Sequence, residues 1–116
     1  MDNFDIPIFK KTNQIYETFY SYRLTISRQD RYTLWQKCEN LILEVIEGIL
    51  LASQLSKQEK LPTLERTSLK LNLLRVFLRM MKNIKVIDMK KYIILEEMID
   101  EVGRMLGGWI KSTKEL

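Results

Sequence analysis

Apolar side chains recur every three to four positions in four long runs of this chain, with short polar stretches between them, which is the pattern of amphipathic helices. Ile8, Ile15, Phe19, Tyr22 and Ile26 predict a first helix over about 8–24, with Pro7 in its first turn, where a missing N–H costs nothing. Tyr16 and Tyr20 lie on a neighbouring strip and are expected at the edge of the core, while Phe4 and Ile6 offer docking points ahead of the helix. A polar reversal at 25–30 follows, in which Ser27 or Asp30 is placed to cap a second helix over 31–55. That helix bears two adjacent apolar lines, Leu34, Leu41, Val45, Ala52 and Trp35, Ile42, Ile46, Ile49, while Leu43 and Leu51 fall outside them and hint at a second buried contact.

Residues 56–62 read as a loop ending in Pro62, and a third helix is predicted over 63–84. Its apolar positions form two lines, Leu64, Leu71, Leu74, Leu78, Met81 and Leu69, Leu73, Val76, Phe77, Met80. Together they span an arc of about 220°, wider than one core face requires. A helix so patterned is expected to pack on its own bundle on one side and on another subunit or protein on the other. A short connection with Asp88 as cap leads to a fourth helix over 89–111, after which 112–116 should fray. Four such helices with short connections predict an all-α, antiparallel up-down-up-down four-helix bundle, a single domain over 1–116 that assembles as a homo-oligomer.

The last helix holds three glycines, Gly103, Gly107 and Gly108, inside the stripe of Tyr92, Leu95, Ile99, Val102, Leu106 and Trp109. Each costs a helix roughly 1 kcal/mol relative to alanine. Gly103 and Gly107 share a face, so close helix packing beside Trp109 is the favoured reading; a ligand-contacting turn is the minor one, because no strand precedes them.

Composition removes several classes of chemistry. With no histidine among 116 residues, the commonest general base near neutral pH and the commonest nitrogen ligand are missing. The single Cys38 lies on the apolar stripe of the second helix and reads as a buried structural thiol, which excludes zinc and Cys-His chemistry and any intrachain disulfide. Carboxylate-bound metal has no support, and no cofactor is expected. Glu96, Glu97, Asp100 and Glu101 form the densest acidic cluster and read as a solvated face, or as partners for a basic strip of a neighbouring subunit, rather than as catalytic acids. No signal pattern opens the chain and no apolar run reaches the ~18 residues of a spanning helix, so a soluble, cytoplasmic, non-enzymatic protein without membrane contact is expected.

The net charge of +4 hides an asymmetry. Between Lys60 and Lys91 there are nine basic residues, including Arg66, Lys70, Arg75, Arg79 and Lys82, against only Glu65 and Asp88. Arg75, Arg79 and Lys82 follow i, i+4, i+7 spacing without an acid of the same helix in reach, so a positive strip suited to phosphates is expected there. Its alternative is a polar face paired with glutamates of another helix.

The run Glu101-Val102-Gly103-Arg104-Met105-Leu106-Gly107-Gly108-Trp109-Ile110-Lys111 resembles the terminal signature of the bacterial four-helix bundle family that includes the accessory variability determinant of diversity-generating retroelements. Pro7-Ile8-Phe9-Lys10-Lys11, Arg31-Tyr32-Thr33-Leu34 and Leu73-Leu74-Arg75-Val76-Phe77-Leu78-Arg79 resemble its other segments. A related branch is encoded within intervening sequences of bacterial large-subunit ribosomal RNA. The resemblance implies a homopentameric barrel, and a non-catalytic partner of a reverse transcriptase that binds RNA and DNA during mutagenic reverse transcription. Under it Arg75 and Arg79 match the family's third-helix arginines. An oligomeric bundle acting through protein contacts only is the alternative.

Overall fold

Four helices, α1 (Asp5–Ser21), α2 (Leu34–Gln54), α3 (Lys57–Asn83) and α4 (Met89–Lys114), make up the computed structural model, which describes residues 5–115, with side chains from Pro7 onward. No strand occurs among the described residues. The docking points expected at Phe4 and Ile6 lie outside the described side chains. α1 packs on α2 and α4, and α3 packs on the same two helices. The long axis is 46 Å, which the 27 residues of α3 at about 1.5 Å each nearly span.

The periodic apolar positions converge on one core. Ile8, Ile15 and Phe19 of α1 meet Trp35, Cys38, Leu41, Ile42, Val45, Ile49 and Ala52 of α2, all buried. Phe19 and Trp35 stack with ring centroids 3.7 Å apart, and burying an aromatic side chain of that size contributes roughly 1.5–3 kcal/mol. Leu64, Leu71, Leu74, Leu78 and Met81 of α3 and Tyr92, Leu95, Ile99, Val102, Leu106 and Trp109 of α4 complete it. Cys38 lies within this core, and burial pushes its thiol up to about 12.

The helix ends differ from the pattern-based boundaries, each for a local reason. α1 stops at Ser21, and Arg23–Thr25 tightens into a 3-10 turn that delivers Ile26 to the core from outside the helix. Asp30–Tyr32 forms a second 3-10 turn, so α2 begins at Leu34 rather than at 31. Ser27 and Asp30 serve that turn instead of capping α2: the Ser27 hydroxyl donates to Asp30 Oδ2 at 2.7 Å and accepts from the Asp30 N–H at 3.2 Å. The loop expected over 56–62 is helical. Ser56 is extended and starts α3 at once, Lys57 to Leu61 are strong helix formers, and Pro62 sits near enough to the start to forfeit a single intrahelical bond. Asp88 does cap α4, accepting from the Lys91 N–H at 2.8 Å; that bond, first, and the Lys91 ammonium, second, hold its carboxyl below the usual range. The tail expected to fray continues as helix to Lys114.

One close approach between helices is set by a glycine of α2. Gly48 of α2 lies against Thr67 of α3, where an added Cβ would overlap the Thr67 hydroxyl and come within 3.1 Å of its Cβ. Thr67 turns that hydroxyl onto the Thr63 carbonyl at 2.8 Å, so it is satisfied inside the interface.

Candidate nucleic-acid interface

The core line of α3 ends at the buried face, and the helix period puts the second apolar line on the opposite side. Leu69 is 61%, Leu73 40%, Val76 53% and Met80 43% exposed, with Phe77 half-buried at their edge. Leu43 and Leu51 of α2 are exposed as well, so the second contact expected for them is not made within one chain.

The basic residues of α3 divide onto two flanks. Arg66 and Lys70 lean toward α2, where they line a shallow cleft with Glu44 and Glu47, and Lys70 stands 3.9 Å from Glu44. Arg75, Arg79 and Lys82 lean toward α4. The Arg75 guanidinium lies 3.5 Å from Asp100 Oδ1 over Gly103, whose missing side chain leaves the room it occupies. Its Nε is buried without a hydrogen-bond partner. Arg79 and Glu96 flank Tyr92, and the Lys82 ammonium sits 4.8 Å from the Tyr92 ring. Burial, then the hydrogen bond to Glu96, raises the Tyr92 phenol, and Arg79 opposes the shift.

The expectation of a positive strip open to solvent is corrected only at Arg75, which meets Asp100; Arg79 is exposed, and neither it nor Lys82 makes an ion pair among the described residues. The acid that answers Arg75 comes from α4, about seven helical turns on in sequence but adjacent in space, and a scan confined to i±3 and i±4 cannot find it. The acidic cluster of α4 is likewise engaged within the chain: Asp100 meets Arg75, and Glu101 meets Lys11 of α1 at 3.0 Å. Gly107 has nothing within 4 Å of an added Cβ, and Gly108 is exposed, so the close packing expected there is not made within one chain. Trp109 is buried, with the Lys60 ammonium 5.7 Å from its ring.

A second basic region becomes visible only in the fold. The α1–α2 connection and the start of α4 meet, since the Lys91 ammonium lies 5.6 Å from the Tyr22 ring. Residues 22–33 and 84–91 together hold six basic side chains, Arg23, Arg28, Arg31, Lys85, Lys90 and Lys91, against Asp30 and Asp88. These twenty residues have a net charge of +4, equal to that of the whole chain. Both acids are already engaged, Asp30 by Ser27 and Asp88 by Lys91. Arg31 donates from Nε to the Ile26 carbonyl at 3.1 Å, and Arg23 lies 5.9 Å from the Tyr20 ring. Arg28, Lys85 and Lys90 are exposed and make no ion pair among the described residues. Tyr20, placed by the sequence pattern at the core edge, is 51% exposed; Tyr16 is half-buried, its hydroxyl donating to Glu39 Oε2 at 3.3 Å.

No group of three or more acidic or thiol side chains among the described residues is placed to hold a metal ion. No helix there is long and apolar enough to cross a membrane. Fold and surface thus define a small, basic protein, all-helical over its described residues, with an uncovered apolar face on α3. The chain belongs to the bAvd-like family, whose model matches residues 7–113. That membership points to an accessory protein of diversity-generating retroelements. No curated protein and no solved structure matches the chain significantly.

Proposed function

We propose that this chain is a non-catalytic, cytoplasmic accessory subunit of a diversity-generating retroelement, an up-down-up-down single-domain bundle that assembles as a homopentamer and presents RNA and its complementary DNA to a reverse transcriptase. The observation that carries the proposal is the family match across nearly the whole chain. The uncovered line Leu69, Leu73, Val76 and Met80 supports assembly, because an apolar face of that length left in water favours association. The charge of +4 per chain, multiplied by symmetry, supports nucleic-acid binding. Arg66, Lys70, Arg75, Arg79 and Lys82 contribute to that field even where acids stand beside them.

A scaffold acting through protein contacts alone is the second reading, favoured by the pairing of Arg75 with Asp100 and of Lys70 with Glu44. Native mass together with RNA binding at low and physiological salt separates the two. A pentamer whose RNA affinity falls steeply with salt is the expected result. An oligomer that ignores RNA at low salt would leave the scaffold reading.

A further inference from the structure

We infer that the end of the bundle built from residues 22–33 and 84–91 is a docking surface for single-stranded nucleic acid, with phosphates held by Arg28, Lys85 and Lys90 and bases stacked on Tyr20 and Tyr32. The inference rests on the nucleic-acid reading proposed above and assigns it a surface distinct from the α3 flank.

Three observations converge on this end. The first is electrostatic: six basic side chains against two acids leave a net charge of +4, with Asp30 hydrogen-bonded by Ser27 and Asp88 paired with Lys91, whereas the remaining 96 residues balance thirteen basic against thirteen acidic side chains. A phosphate approaching this end therefore meets a local excess of positive charge.

The second is conformational. α3 closes with the Val86 N–H on the Met81 carbonyl at 2.8 Å and the Lys85 N–H on the Lys82 carbonyl at 3.0 Å, which puts Lys85 at the left-handed position that ends such helices, with φ 65°. Lys85 is the only non-glycine residue with positive φ among the described residues. Glycine occupies that position without strain, so a lysine there is disfavoured by folding and supplies something else, a cation held at the tip of the bundle.

The third is aromatic. Tyr32 is 69% exposed beside a cleft lined by Arg23, Arg31, Gln36 and Glu39, and Tyr20 is exposed under the Arg23 guanidinium. Open rings set among cations are what unpaired bases stack on, while a duplex hides its base faces and offers only phosphates.

The test is fluorescence anisotropy with a labelled single-stranded RNA of mixed sequence and with the duplex of the same sequence. In the Arg28→Gln/Lys85→Gln/Lys90→Gln variant, single-strand affinity is expected to fall tenfold or more, by rough estimate, and the salt slope to shrink by about two. Tyr20→Ala/Tyr32→Ala should cost about tenfold on the single strand and leave duplex binding unchanged. Arg75→Gln/Arg79→Gln, which removes one charge already answered by Asp100, should cost less than the triple variant. Circular dichroism and native mass verify that each variant keeps its fold and assembly.

Unchanged binding by the triple variant, with loss in the Arg75/Arg79 variant, would overturn the inference and leave the nucleic-acid reading intact. So would a triple variant whose native mass changes, because this end would then be a subunit contact. No binding of the single strand by the unaltered protein at low salt would remove both together.

Discussion

The α4-facing flank of α3 and the loop end of the bundle are both rich in arginine and lysine, and they differ in what answers those charges. On the flank, Arg75 lies over Gly103 against Asp100, and Arg79 shares Tyr92 with Glu96. At the loop end the acids are used up in caps and turns, and Arg28, Lys85 and Lys90 face water. A cluster of basic letters is therefore not yet a positive surface: what matters is which helix packs beside it. Half-exposed pairs such as Arg75 with Asp100 contribute at most about 1 kcal/mol to stability, but they cancel field, which is the quantity a phosphate senses.

The comparison breaks most severely if α3 is moved bodily, since its flanks are set by the contact at Gly48. Gly48→Leu is expected to lose about 2 kcal/mol or more by overpacking against Thr67. Gly107→Ala, facing open space, should gain up to about 1 kcal/mol from helix propensity. Urea denaturation measures both; equal losses at the two positions would mean that a further contact covers Gly107.

A gentler change converts the flank into a likeness of the loop end. Asp100→Asn with Glu96→Gln leaves Arg75, Arg79 and Lys82 without nearby acids, so RNA affinity at low salt should rise severalfold while stability shifts by no more than about 1 kcal/mol. Unaltered affinity would show that these acids do not screen the flank.

Much of the fold was legible beforehand. The lines Leu64, Leu71, Leu74, Leu78, Met81 and Tyr92, Leu95, Ile99, Val102, Leu106 are buried as their spacing predicts, because the 3.6-residue period is a local property of the chain. Pro62 misleads because proline signals a break wherever it falls, although near a helix start it removes little. The outer line of α3 was equally visible as apolar, but period alone does not tell a face covered by the chain from one left open. The interface was the least legible. Lys85, Lys90 and Lys91 were counted with α3, and nothing in the linear sequence joins them to Arg23, Arg28 and Arg31 more than fifty residues earlier; the contact of Lys91 with Tyr22 does. Gly48 carried a readable signal, a lone glycine inside a strong helix, which the three glycines of α4 overshadowed.

The most direct test of the account is a single substitution, Lys85→Gly, assayed for thermal stability and for salt-dependent binding of single-stranded RNA. Relief of the left-handed strain should stabilise the fold by about 1 kcal/mol. Loss of one phosphate contact should weaken RNA binding and lower the salt slope by about 0.7. A protein that becomes more stable and binds RNA less well is the predicted result. A more stable protein with undiminished RNA affinity would contradict the account, since the loop end would then hold its charge for some other purpose.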